Sequence, residues 1–260
     1  MEASMKLQQL LSLTRQAIDE YNMIQDGDKI AIGISGGKDS LTLLYALSHL
    51  QRFYPKKFDL CAITVDLGFQ NIDLQKIAQL CEELNVEYHV VSTDIAKIIF
   101  EDRKESNPCS LCAKMRKGAL NQKAKELSFN KVAFAHHKDD MIETFLMSLF
   151  YEGRIHSCSP MTYWDRSQIT LIRPLIYVTE GQVIHFSSEH NLPVLKSSCP
   201  VDGHTKREYI KKVIKELSLQ EPRLQERIFT AILNGNLSGW PIRNENPRGI
   251  QKNNYNTYSI

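Results

Sequence analysis

Leu7, Leu10, Leu11, Ala17, Ile18 and Tyr21 recur at helical spacing, which predicts an amphipathic helix over residues 6–22. Gln25-Asp26-Gly27-Asp28 breaks it, and the apolar run over 29–34 predicts the first strand. From Lys38 to Leu50, Leu41, Leu44, Tyr45 and Leu47 share one helical face. Beyond the Tyr54-Pro55-Lys56-Lys57 turn, Leu60–Val65 reads as a buried strand ending at Asp66, 71–84 as a helix, and Glu87–Ser92 as a third strand. Pro108 opens a helix over about Ser110–Leu127, with Asn107 placed to cap it. Val132–Ala135 is the fourth strand, 139–150 a helix turning Ile142, Phe145, Leu146 and Leu149 inward, and Ile169–Ile172 a fifth strand stopped by Arg173-Pro174. Helices follow at 179–190, 205–217 and near 221–234.

Strand and helix alternate with short connections, so the expected fold is α/β: an open parallel five-stranded sheet with helices on both faces. The expected organisation is an N-terminal helix over 1–25, a core domain over 26–200, a C-terminal helical extension over 201–234, and a poorly ordered Asn-rich tail over 235–260. In such a sheet, ligands bind beyond the carboxyl ends of the strands where strand order reverses. That rule gathers Ser35–Ser40, Asp66 and His136–Asp140 into one crevice, each following an apolar strand.

The segment Ser35-Gly36-Gly37-Lys38-Asp39-Ser40 joins the first strand to a helix start. Backbone N–H groups at that helix N-terminus, two glycines that allow close approach, the helix dipole and the Lys38 charge all favour a polyanion. The segment is neither G-x-x-x-x-G-K-[ST], since Asp39 follows Lys38, nor G-x-G-x-x-G. It matches the pyrophosphate loop of the ATP pyrophosphatases, which cut ATP between its α and β phosphates; the implied ligand is ATP. Asp39, Asp139 and Asp140 are candidates to bring Mg²⁺ to the triphosphate, with helix capping the competing role for each. His136 and His137 are candidate nucleotide or substrate contacts, and Asp66 a contact to ribose or adenine.

With 42% hydrophobic and 24% charged residues, and no apolar run long enough for a membrane helix, a cytoplasmic protein is expected. Its six cysteines are then thiols or metal ligands and not disulfides. Cys109-Ser110-Leu111-Cys112 puts two thiols at a helix start, within reach of one metal centre, and Cys199 is a candidate third ligand. A structural zinc with a histidine as fourth ligand, an iron-sulfur cluster with one open iron, and a redox dithiol all fit that spacing. Cys61 and Cys81 read as buried hydrophobes, and Cys158, in a polar loop, is unassigned. Net charge is only +2, but Arg103, Lys104, Lys114, Arg116, Lys117, Lys123 and Lys125 cluster beside the CxxC pair, and Lys206, Arg207, Lys211, Lys212 and Lys215 follow Cys199.

Taken in order, Ser35–Ser40, Cys109-x-x-Cys112, Ala135-His136-His137-Lys138-Asp139-Asp140 with Glu143-Thr144, Ile172-Arg173-Pro174-Leu175 and Cys199 give a chain that resembles the tRNA 2-thiocytidine synthetase family over residues 5–217. The resemblance implies adenylation by ATP of the C2 oxygen of a cytidine in the tRNA anticodon loop. It implies a 4Fe-4S cluster on Cys109, Cys112 and Cys199 that delivers sulfur, and catalytic roles for Lys38, Asp39 and Asp139. It admits a tRNA substrate, a sulfur donor (a cysteine desulfurase or inorganic sulfide) and a homodimer. Pro200-Val201-Asp202-Gly203-His204 after Cys199 points to a divergent branch. The competing readings are a lysidine synthetase-like ligase, which shares the loop but has no use for three cysteines, a related 2-thiouridine synthetase, and a nucleotide- or metal-binding module without catalysis.

Overall fold

The computed structural model describes residues 6–69, 73–103, 108–196, 199 and 205–240. In chain order the elements are α1 (Leu7–Glu20), β1 (Asp28–Ile34), α2 (Lys38–Gln51), β2 (Phe58–Asp66), α3 (Gln75–Glu83), β3 (Glu87–Ser92), α4 (Ile95–Lys97), a π-helical turn over Ile98–Asp102, α5 (Pro108–Glu126), β4 (Lys131–Ala133), α6 (Lys138–Glu152), β5 (Met161–Trp164), β6 (Ile169–Ile172), α7 (Glu180–Glu189), α8 (Lys206–Gln220) and α9 (Leu224–Asn234). Most expected elements are present within a residue or two. Asn107, the expected cap of α5, and the first residues of the helix expected at 71–84 lie outside the described residues.

The sheet has order β3-β2-β1-β4-β6-β5. All pairs are parallel except β5 against β6. Among the described residues the sheet therefore has six strands rather than five. The additional one, Met161-Thr162-Tyr163-Trp164, forms an antiparallel edge hairpin with β6 through a turn in which Gln168 takes φ 54°. Its sequence signal is weak because an edge strand buries little, and Tyr163 is exposed. From β1 the chain runs outward through β2 to β3, then returns to place β4 on the other side of β1, so strand order reverses between β1 and β4.

β1 is buried on both faces, as a central parallel strand must be. Ile30, Ile32 and Ile34 join the larger core with Leu41, Leu44, Met141 and Phe186, while Ala31 packs with Cys61, Ile63, Val132, Leu120 and Ala124 under α5. Burial pushes the Cys61 and Cys81 thiols up to about 12, which fits their reading as small core residues. The first residues of the stretch expected to be a loose tail are packed. Leu237 and Trp240 are buried, and the Trp240 ring meets Tyr21 edge-on at 6.1 Å; residues 241–260 lie outside the described residues. No described helix is long and apolar enough to cross a membrane.

Candidate active site

A cleft of about 430 Å³ opens at the strand-order reversal. Its floor comes from the carboxyl ends of β1, β2 and β4 (Gly33, Ile34, Ile63, Val65, Phe134), one wall from Ala113, Arg116, Lys117 and Leu120 of α5, and its polar rim from Ser35, Asp39, Ser40, His136 and Asp140. Gly33 is a glycine for space: an added Cβ would meet Leu120 at 3.0 Å and Phe134 at 3.1 Å.

The loop at the head of α2 is held by its own serines. Ser40 Oγ accepts from Ser35 N–H at 3.2 Å and donates to Gly37 O at 2.9 Å. Gly36 takes φ +81°, and its carbonyl accepts Leu195 N–H at 2.9 Å. The turn thus has a left-handed residue where only glycine is unstrained. Lys38 does not line the cleft. Its ammonium lies 3.1 Å from Asp39 and 3.2 Å from Glu180.

His137 is buried and surrounded by the three aspartates. Its Nδ1 lies 3.4 Å from Asp140 and 3.6 Å from Asp139, and its Nε2 lies 3.6 Å from Asp39. Asp140 caps α6 by accepting His137 N–H at 2.9 Å, and Asp139 accepts Glu180 N–H at 2.7 Å at the start of α7. Capping therefore occupies one oxygen of each. Burial works to raise the Asp140 carboxyl, but His137, His136 and Arg207 hold it below the usual carboxylate range. Asp39 Oδ1 is buried and accepts no hydrogen bond, but the Lys38 ammonium lies 3.1 Å from it, so a cation bound there would replace that ion pair. Asp66 instead closes its own turn, accepting Gly68 N–H at 3.0 Å, and stays off the cleft lining.

His136 is set by Arg173, whose role the sequence does not reveal. Arg173 is buried, bonds the Ser159 carbonyl, and donates Nε–H to His136 Nδ1 at 3.2 Å. Burial, then the Arg173 charge, pushes His136 down to about 4. On the α5 wall, Lys117 sits over the Trp164 ring at 3.3 Å from its centroid, so the unforeseen strand β5 positions a cleft cation.

Cys109 and Cys112 stand at the first turn of α5, next to the cleft-lining Ala113 and Arg116. Burial pushes the Cys112 thiol up; Arg116, hydrogen-bonded to it, pulls the other way, and Cys199 and Cys109 both act on it electrostatically. Cys109 and Cys112 thus stand next to the cleft wall, and Cys199 is near enough to Cys112 to act on its thiol. Cys109 is exposed and the other two half-buried, a donor set suited to iron or zinc. Among the described residues, no three His, Cys, Asp or Glu side chains are already gathered as a metal site.

The second basic group divides. Lys206, Lys212 and Lys215 are exposed, but Arg207 and Lys211 turn inward. Arg207 lies 2.7 Å from Glu143 and 3.3 Å from Asp140; Lys211 lies 3.1 Å from Glu180 and 3.9 Å from Glu143. Glu143 is buried, and desolvation pushes its carboxyl up to about 7 against the pull of Arg207. Sequence reasoning gave Glu143 and Glu180 no role. The available signal was an acid set among Ile142, Phe145 and Leu146 of a helix whose one cation, Lys138, is five residues away and not at the i−3 or i−4 spacing that would pair it.

Residues 5–217 match the model of the PP-loop domain family. The chain is 38% identical to a tRNA-cytidine(32) 2-sulfurtransferase of Geobacter sulfurreducens over 84% of this chain and 86% of that protein, and equally to the one of Geobacter metallireducens over the same shares. Among solved structures, the U34-tRNA thiolase NcsA from Methanococcus maripaludis with its [4Fe-4S] cluster is similar at a TM-score of 0.72 and 24% identity, covering 90% of this chain and 81% of that one, a likeness of fold. The chain belongs to the PP-loop domain family, on the tRNA 2-thiocytidine synthetase branch whose motifs its sequence carries.

Proposed function

We propose that the protein is an ATP-dependent tRNA sulfurtransferase that converts a cytidine of the anticodon loop, at position 32 as the relatives' names indicate, to 2-thiocytidine. The observation that carries this reading is the cleft itself, where the phosphate-loop rim and the helix turn bearing two thiols border one cavity.

The chemistry is a substitution at C2. The C2 oxygen attacks the α-phosphorus of ATP, pyrophosphate departs, and the oxygen, now carrying AMP, becomes a good leaving group. A sulfur nucleophile adds at C2 and AMP leaves with the oxygen. The N–H groups at the start of α2 and the glycines of Ser35–Ser40 receive the phosphates, and Lys38 supplies a charge beside them. Asp39, through the oxygen that faces the Lys38 ammonium, and Asp140 are the rim carboxylates that would hold Mg²⁺, the ion taking the place of Lys38. Neutral His136 offers a hydrogen bond without adding charge, and Arg116 and Lys117 counter negative charge on the α5 wall. Cys109, Cys112 and Cys199 would hold a 4Fe-4S cluster, which when bound supplies sulfur from the iron that no cysteine ligates. The exposed Lys206, Lys212 and Lys215 face the RNA backbone, and the extruded base enters the cleft.

The test is anaerobic reconstitution of the full chain with iron and sulfide, followed by incubation with Mg²⁺, ATP, sulfide and unmodified tRNA and nucleoside mass spectrometry. 2-Thiocytidine that requires ATP, with Cys199→Ala abolishing it while ATP still binds, is the expected result. AMP transfer without sulfur incorporation, from a protein that binds no iron, would instead favour a lysidine synthetase-like ligase.

A further inference from the structure

Seven charged side chains form an almost continuous circuit around His137. Asp39 meets Lys38, Lys38 meets Glu180 at 3.2 Å, Glu180 meets Lys211 at 3.1 Å, Lys211 approaches Glu143 at 3.9 Å, and Arg207 links Glu143 at 2.7 Å to Asp140 at 3.3 Å. His137 closes the gap between Asp140 and Asp39. Glu180 and Lys211 lie off the cleft lining, yet they bear on the charge the loop would use for phosphate.

We infer that Glu180 and Lys211 are positioning residues that set how tightly the loop takes ATP: Glu180 competes with the triphosphate for the Lys38 ammonium, and Lys211 weakens that competition by sharing the same carboxylate. The inference rests on the reading of Ser35–Ser40 as the ATP phosphate site. Lys38 is the first residue of α2, so rotation of its side chain alone can carry its ammonium from one anion to another. While Glu180 holds it, a phosphate must replace that ion pair as well as water. Lys211 contacts both oxygens of Glu180, at 3.1 and 3.2 Å, and so draws off part of the field that Lys38 feels. Lys211 lies on α8, which follows the Cys199 segment, so the circuit ties nucleotide affinity to the helix that presents Lys206, Lys212 and Lys215 outward. Side chains that only stabilise the fold would act differently, since removing either would loosen the loop and weaken ATP in the same direction.

The measurement is calorimetric titration of the full chain with ATP and Mg²⁺, without RNA. Glu180→Gln should bind ATP about 3–5-fold tighter, the scale of a partly exposed ion pair removed from competition, and Lys211→Ala about 2–3-fold weaker. In the double variant the Lys211 effect should vanish, leaving the affinity of Glu180→Gln alone. Glu180→Asp, one methylene too short to hold both lysines, keeps the charge and should also tighten ATP. Weaker or unchanged binding in both Glu180 variants, or a Lys211 effect that survives in the double variant, overturns the inference while ATP binding by the parent chain still stands. A parent chain that does not bind ATP overturns the nucleotide reading and this inference together.

Discussion

Arg173 donates its Nε–H to His136 Nδ1 across 3.2 Å, which fixes the neutral imidazole with its own proton on Nε2. A histidine so held is a hydrogen-bond donor of constant charge. With the folded value near 4 and the unfolded value near 6.5, the native state resists a proton that the unfolded chain accepts. Stability from this group is therefore complete above pH 6.5 and lost as pH falls toward 4. Arg173→Met should raise the His136 value, since desolvation then acts without the guanidinium charge. Imidazole ¹⁵N shifts followed against pH check this, and a titration unmoved by the substitution would contradict the assigned contact.

Glu143 gives the opposite slope. Its carboxyl is raised from 4.5 to about 7, so the native state keeps a proton that the unfolded chain releases. Its contribution to stability is complete below pH 4.5 and declines as pH rises to 7. Glu143→Gln removes that slope. The stability of this variant relative to the parent should rise across the window, by at most about 1.4 kcal/mol per pH unit. Urea unfolding at pH 5 and pH 7.5 reads the difference directly. Equal offsets at the two values would mean that Glu143 ionises as an ordinary solvated acid.

Gly36 is the loop position where a side chain has no room. Its φ of +81° is strained for any other residue, and an added Cβ would lie 2.9 Å from Leu195 Cδ1. Gly36→Ala should cost about 1–2 kcal/mol from the left-handed backbone alone, and more from the contact. Because the same turn aims the loop N–H groups, ATP affinity should fall with it. Gly118→Ala is the control: it sits mid-helix on α5 with nothing within 4 Å of its Cβ, and it should gain stability by a few tenths of a kcal/mol up to about 1. Thermal melts of the two variants should move in opposite directions.

What the sequence reveals follows from how local each signal is. β1, the loop and α2 are specified by neighbours in the chain: an apolar run, two glycines and a helix period. β5 is not, because an edge strand with an exposed Tyr163 carries no strong alternation and its pairing partner follows it across a short turn. The same distinction runs through the site. Cys109 and Cys112 declare themselves by spacing within one helical turn. The inward turn of Arg207 and Lys211 depends on Glu143 and Glu180, which lie 64 and 31 residues away in the chain, so the basic run alone does not show which of its members face inward. The role of Arg173, which holds a histidine 37 residues upstream, is hidden for the same reason.

Five of the six cysteines should separate into two classes under substitution, with Cys158 the one to be placed. Cys61 and Cys81 are wholly buried, with thiols pushed up to about 12, and neither borders the cleft. Each changed to Ala loses one sulfur's worth of core packing, about 1 kcal/mol, with no reason to alter iron content or ATP affinity. Cys109 is exposed and Cys112 and Cys199 are only half-buried, and the three act on one another electrostatically through Cys112. Changing any of these three to Ala should leave the melting temperature of the iron-free protein nearly unchanged and remove the broad visible absorbance of the anaerobically reconstituted protein. Arg116→Ala adds an intermediate case, since it removes the guanidinium that hydrogen-bonds the Cys112 thiol and so raises that thiol further. Iron should then load more slowly near neutral pH and recover as pH rises, a rescue that loss of a ligand would not show. Iron-to-protein ratios across the six Ala variants, measured beside their melts, decide between this partition and one in which Cys158 takes the place of Cys199.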